Sequence, residues 1–208
     1  HGIQNIVLLV GYKCEQIMNY FGDGERFGVE LQYVHDKAGR EGTGGALLNA
    51  YDEGAVSTSD ELLVYYGDIL SDIDLTKMCK EHRRMQAVAT LALAKGYQVP
   101  VGTAKLDANG RVIELLEKPE LDIAVTIAIM TLQGAVLTDL ETMAEGGRKK
   151  PDLMSDLIPG LIRSGRIVHS YMHNSFWYDV ASIERYEKLD YAIVEKLMAN
   201  STPPGKKD

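Results

Sequence analysis

The first apolar run, Ile6-Val7-Leu8-Leu9-Val10, is continuous rather than alternating, which predicts a strand buried on both faces. After Gly11 the pattern changes period. Cys14, Ile17, Met18 and Phe21 recur at helical spacing, predicting a helix over Tyr12–Phe21 that Gly22-Asp23-Gly24 stops. Val29 to Val34 reads as a second strand. Thr43 to Tyr51 reads as a short helix opened by a glycine-rich turn, and Leu62 to Tyr66 as a third buried strand. Asp74 is placed to cap a helix reaching about Met85, and Ala87 to Ala94 returns to a strand. Continuous apolar strands alternating with helices predict an α/β fold, with a mostly parallel sheet covered on both faces.

Beyond residue 100 the rhythm shifts. Val101–Leu106 and Arg111–Leu116 flank Asp107-Ala108-Asn109-Gly110, a hairpin signal because Asn and Gly both accept positive φ. Ile123–Leu132 is strand-like. Leu153–Ile162 is helix-like but interrupted by Pro159-Gly160. Ile167–Tyr171 is a strand, and Ser182 to about Met198 an amphipathic terminal helix. The pattern is read as a single domain over residues 1–200, with a disordered tail over 201–208.

Composition narrows the class. The chain has 208 residues, 45% hydrophobic and 25% charged, enough for one large α/β core. No apolar stretch has the length of a membrane span, and no signal peptide is visible, so a cytoplasmic protein without membrane partners is expected. A net charge of −8 speaks against nucleic acid as a partner but leaves nucleotides open, since lysines, backbone N–H groups and a divalent metal can hold phosphates. Cys14 and Cys79 are too few for a disulfide framework. The histidines show no metal spacing, and Ser57-Thr58-Ser59 has no visible base partner.

Two short runs carry the candidate chemistry. Leu62-Leu63-Val64-Tyr65-Tyr66 leads into Gly67-Asp68, and Phe176-Trp177-Tyr178 leads into Asp179. An apolar strand ending in Gly-Asp sets a carboxylate at the strand's C-terminal mouth, where open α/β sheets bind ligands. Two such carboxylates, if they converge, could hold magnesium against phosphates. Each could equally be a turn residue after a strand.

Several blocks together resemble the sugar-1-phosphate nucleotidyltransferases. They are Glu41-Gly42-Thr43-Gly44-Gly45, Gly67-Asp68-Ile69-Leu70-Ser71-Asp72-Ile73-Asp74-Leu75, Val99-Pro100-Val101-Gly102, Glu117-Lys118-Pro119, Leu157-Ile158-Pro159-Gly160 and Trp177-Tyr178-Asp179-Val180, in the family's order. The resemblance leans towards mannose-1-phosphate guanylyltransferase-like members, beside glucose-1-phosphate thymidylyltransferases. It implies a Rossmann-like mixed, mostly parallel sheet flanked by helices, of the nucleotide-diphospho-sugar transferase type. It implies transfer of a nucleotidyl group from a nucleoside triphosphate, GTP or dTTP, to a sugar 1-phosphate with release of pyrophosphate. Carried over residue by residue, it makes Asp68 and Asp179 magnesium ligands and Lys118 the partner of the sugar phosphate. Gly42, Thr43 and Gly67 would meet the nucleotide. Gly102, Glu117 and Thr126 would meet the sugar. A homo-oligomer is left open.

The chain departs from the family pattern in several places. The family's opening strand, glycine-rich loop with arginine, and Pro-Lys pair have no counterpart before His1. The expectation is a truncated chain, its N-terminal βα unit missing, that does not release pyrophosphate by itself. Tyr66 stands where the family usually has Asn, Ala181-Ser182 where it has Gly-Thr, and Ala128 where it has Gly beneath the sugar. These departures keep an alternative open: a non-catalytic regulatory or assembly subunit of the same fold.

Overall fold

The computed structural model describes residues 1–200; the tail expected over 201–208 lies outside the described residues. Contacts divide the chain into two compact units. The first holds residues 1–64, 74–91 and 129–171, and the second residues 65–73 and 92–128 together with the chain from Met172 on.

In the first unit, β1 (Asn5–Val10) pairs in parallel with β2 (Glu30–His35), in register from Asn5 opposite Glu30 to Val10 opposite His35. The connecting helix α1 (Cys14–Phe21) is shorter than its periodicity suggested, and its apolar face is only partly covered. Helix α2 (Thr43–Asp52) buries Leu47, Leu48 and Ala50. Helix α3 (Leu75–Arg84) starts where Asp74 was expected to cap it: the Asp74 carboxylate accepts from Lys77 N at 2.9 Å. The core is built by Leu48, Met78, Met130, Leu132, Leu137 and Leu140, all fully buried. Leu137 and Leu140 belong to α4 (Leu137–Glu145), a helix its sequence did not announce.

A four-stranded sheet runs in the order β3 (Glu61–Tyr65), β8 (Glu120–Gln133), β5 (Ala89–Gln98), β9 (Val168–His173). The segment 153–163 is not one interrupted helix. A π-helical turn, Leu153–Leu157, passes without a break into α5 (Ile158–Arg163), where Pro159 has no N–H to donate back to that turn.

The second unit carries two antiparallel ribbons. Short strands β4 (Ile69–Ser71) and β10 (Trp177–Asp179) pair with Asp179 opposite Ile69. Strands β6 (Thr103–Leu106) and β7 (Val112–Leu116) form the expected hairpin. Its turn differs from the expected one. Only Gly110 has positive φ, at 80°, while the Asp107 carboxylate accepts from Asn109 N and Arg111 N. The aspartate side chain supplies the turn's acceptor, so Asn109 need not enter the left-handed region. The terminal helix is broken into α6 (Ile183–Glu187) and α7 (Tyr191–Asn200). Asp190 causes the break: its carboxylate accepts from Ala192 N at 2.9 Å, capping a new helix instead of continuing the old one. The β1–β2 pair is parallel and the two ribbons are antiparallel, so the sheet content is mixed.

Candidate active site

Gly67 and Asp68 occupy the turn between β3 and β4, closed by Ile69 N donating to Tyr66 O at 3.1 Å. Both are exposed. A Cβ added at Gly67 would meet nothing within 4 Å, and its φ is not positive. Local packing and backbone conformation therefore leave this glycine unexplained.

Asp179 ends β10. Val180 N donates to Asp68 O at 2.7 Å, so the two aspartates occupy adjoining backbone positions on neighbouring segments. The Asp68 carboxylate has no hydrogen bond or ion pair among the described residues. Asp179 is fully engaged: Oδ1 accepts from Ala181 N at 2.9 Å, and Oδ2 pairs with Arg185 Nη1 at 2.7 Å. Arg185 Nη1 also donates to Asp179 O at 3.1 Å, and Tyr178 Oη donates to Arg185 O at 2.8 Å. Ser182 caps the short helix that carries Arg185, its hydroxyl accepting from Arg185 N. These contacts fix Asp179 in one orientation. Lining a cleft of about 590 Å³ are Tyr97, Gln98, Trp177, Asp179, Arg185 and Lys188.

The sugar-side candidates gather at the open end of the β6–β7 hairpin. Thr103 pairs with Leu116, which puts Gly102 beside Glu117. A Cβ built on Gly102 would lie 3.1 Å from Glu117 Oε2. Val99 N donates to Pro119 O at 2.9 Å and closes this end. Lys118, exposed, sits at φ 45°, in the left-handed region that side chains rarely adopt. Further along β8, Thr126 is exposed and Ala128 has φ 55°. Tyr66 N donates to Ala128 O at 3.2 Å, tying this irregular point of β8 to the residue before Gly67. Ala128 keeps a backbone shape suited to glycine while carrying a Cβ.

Gly42 and Thr43 belong to the first unit. The glycine-rich turn there has a packing explanation. Gly44 N and Gly45 N donate to Pro151 O at 2.9 and 3.2 Å, and a Cβ on Gly45 would lie 2.5 Å from Arg40 O. Those two amides at the start of α2 are thus already committed. Thr43 does not cap α2; its hydroxyl donates to Asp152 Oδ2 at 2.8 Å and accepts from Leu153 N at 2.9 Å. Burial alone would raise the Asp152 pKa, but bonds from Ser155 N, Thr43 Oγ1 and Met154 N outweigh it and hold the carboxyl below its ordinary range.

Arg185 and Asp152 were not singled out from the sequence, whereas His173 reads there as a structural or surface residue. Arg185 is readable only as part of a Ser-x-x-Arg helix start. Asp152 follows Pro151 and precedes an apolar run, which is a cap signal. His173, buried, brings Nε2 to within 3.1 Å of Asp72 Oδ1 and 3.0 Å of Phe176 O, tying β4 to the loop before β10. Among the described residues no group of three or more His, Cys, Asp or Glu side chains could hold a metal by itself. Both cysteines are free, and burial pushes the Cys79 thiol up. No described helix is long and apolar enough to cross a membrane.

A family model for nucleotidyl transferases matches residues 1–196. The chain belongs to this family. A UTP–glucose-1-phosphate uridylyltransferase from Synechocystis sp. is 29% identical over 99% of the chain and 55% of its own length. A mannose-1-phosphate guanylyltransferase from Mycobacterium tuberculosis is 27% identical over 89% of the chain and 50% of its own length. The chain thus spans about half the length of these curated relatives. Among solved structures, a UDP-glucose pyrophosphorylase complexed with UDP-glucose superposes with a TM-score of 0.64 at 17% identity, over 94% of the chain and 82% of that structure. This last likeness speaks to the fold, and it agrees with the Rossmann-like α/β class expected from the sequence.

Proposed function

We propose that this chain carries the catalytic region of a sugar-1-phosphate nucleotidyltransferase. An oxygen of the sugar phosphate attacks the α-phosphorus of a nucleoside triphosphate. The bond from that phosphorus to the oxygen bridging the β-phosphate breaks, and its electron pair leaves with pyrophosphate. The observation that carries the reading is the pairing of β4 with β10, which brings Asp68 and Asp179 to adjoining positions.

The donor set fits magnesium, which commonly takes one or two carboxylates and completes its shell with water and phosphate oxygens. Asp68 and Asp179 are the residues that would hold it, and when bound it would neutralise charge gathering on the α-phosphate. Lys118 supplies a point charge for the sugar phosphate. Glu117 accepts from sugar hydroxyls, and Gly102 keeps the surface beside it low. Thr126 lies on the same sugar side. Gly67, with open space where a Cβ would be, lets the nucleotide approach the backbone. Gly42 and Thr43 contribute to the nucleotide side through backbone atoms, since the Thr43 hydroxyl proton is committed to Asp152. The substrate pair is GTP or dTTP with a hexose 1-phosphate, GDP-mannose being the preferred product, in the cytoplasm.

Pyrophosphate release by a full-length version, assayed across a panel of nucleoside triphosphates and hexose 1-phosphates with magnesium, tests the proposal. Asp68→Asn and Asp179→Asn should lower kcat far more than either KM. Turnover unaffected by both substitutions would overturn it. The ion pair between Asp179 and Arg185 favours a second reading, a non-catalytic subunit. Nucleotide binding without pyrophosphate release by the full-length version under any substrate pair would establish that instead.

A further inference from the structure

The guanidinium of Arg185 lies where a cation would serve Asp179. Its Nη1 is 2.7 Å from Asp179 Oδ2 and also donates to the Asp179 carbonyl oxygen, so one nitrogen grips both side chain and backbone. No hydrogen bond to Nη2 or Nε occurs among the described residues. The grip is braced from two sides: Ser182 caps α6, and Tyr178 Oη holds the Arg185 carbonyl. Oδ1 is meanwhile held by Ala181 N. A carboxylate with one oxygen on a backbone amide and the other on a guanidinium is electrostatically satisfied before any metal arrives. The Arg185 side chain is nevertheless half-exposed, at 48%, so the pair is screened by solvent and can be exchanged.

We propose that Arg185 is the resident counter-cation of Asp179. It holds the carboxylate in place when no divalent cation is bound, and it must be displaced for a cation to bind through Oδ2. Arg185 is thus a positioning residue that sets the cation affinity of the site. The inference rests on the proposed function, in which Asp179 is a metal ligand. The released guanidinium stays beside Lys188 on the cleft lining, where an anion can take the place of the carboxylate.

Mn²⁺ binding, followed by electron paramagnetic resonance on the 208-residue chain, tests this without requiring turnover. Arg185→Ala and Arg185→Gln should both bind Mn²⁺ about two- to fivefold tighter than wild type, the range a half-exposed ion pair supports. Arg185→Lys should stay near wild type, because the charge is kept. A purely structural role predicts the reverse order, with both neutral variants binding more weakly as Asp179 loses its brace. Trp177, the chain's one tryptophan, lines the same cleft, so its fluorescence gives a second readout of inorganic phosphate binding. Phosphate should bind wild type more tightly with Mg²⁺ present than without it, and Arg185→Ala should lose that gain. Equal or weaker Mn²⁺ binding in both neutral variants overturns the counter-cation role while leaving the metal site standing. Equal Mn²⁺ binding by wild type and Asp179→Asn removes the metal reading of Asp179, and this inference with it.

Discussion

Asn49 is wholly buried in α2, and neither atom of its side-chain amide has a hydrogen-bond partner among the described residues. An unpaired buried amide costs about 1–3 kcal/mol, whereas an apolar side chain of similar shape costs nothing there. Asn49→Leu should therefore raise stability by on the order of 1 kcal/mol in urea unfolding; a lower midpoint would reveal a polar partner for the amide. Ala128 presents a different kind of cost. At φ 55° its Cβ is strained by about 1–2 kcal/mol, and Ala128→Gly trades that strain against roughly 0.5–1 kcal/mol of extra chain entropy. The net is a gain of up to about 1.5 kcal/mol, read as a higher urea midpoint. At Lys118 the left-handed backbone is kept by a residue with a charge to place, and strained positions of this kind cluster at functional sites. In steady-state kinetics of a full-length version, Lys118→Ala should raise the KM for sugar 1-phosphate by roughly 10- to 150-fold, with little change for the nucleotide. The opposite pattern would exchange the two half-sites.

At the scale of elements, Asp152 links the start of α2 to the π-helical turn. One oxygen accepts from Thr43, the other from Met154 N and Ser155 N. Asp152→Ala should cost about 2 kcal/mol, the upper range for a cap, and Thr43→Val about 1, since a hydroxyl rather than a carboxylate is lost. Equal stability of both variants with wild type would show that these bonds are replaced by water. Much at this scale was legible in the sequence. The βαβ start, the Asp74 cap and the hairpin follow from local periodicity and capping chemistry, although β1, read as buried on both faces, buries only Val10 and leaves Leu9 exposed. What was not legible depends on competition between neighbours. Asp107 took over the turn from Asn109, and Asp190 took an amide the terminal helix would have used. Helix α4 was hidden because Gly134–Val136 prolongs the apolar run of β8 before the helix begins. At the candidate site, the hairpin was readable but the placing of Gly102 beside Glu117 was not, because the register shifts at a bulge between Lys105 and Leu106. The Arg185 grip on Asp179 was not readable either, because it depends on where α6 places a side chain six residues away.

Over the molecule as a whole, buried and hydrogen-bonded titratable groups predict how stability responds to acid. His82 is 2% exposed in the first unit; its Nδ1 meets Thr90 Oγ1 at 2.8 Å, and its Nε2 has no partner among the described residues. Burial lowers its pKa, with Arg83 and His169 adding to the effect and Glu61 opposing it. The unfolded chain therefore takes up a proton, near pH 6.5, before the folded chain does. Stability is insensitive to this group above that pH and falls as pH drops towards the folded pKa, by about 1.4 kcal/mol for each unit between the two. A second decline follows from carboxylates. The folded pKa values of Asp152, Asp156 and Glu81 lie below their ordinary ranges. Asp152 owes this to hydrogen bonds that outweigh its burial, Asp156 first to Arg148, and Glu81 first to Arg84. Their contribution is complete above about pH 5 and is lost as pH falls through those lowered values. Acid unfolding should thus have two limbs, one opening below pH 6.5 and one below about pH 4. His82→Phe should abolish the first limb and leave the second, as read by urea midpoints taken between pH 7.5 and 3. If the wild-type midpoint holds level down to pH 5, His82 is not the group that senses acid, and a partner must reach its Nε2 in the folded protein.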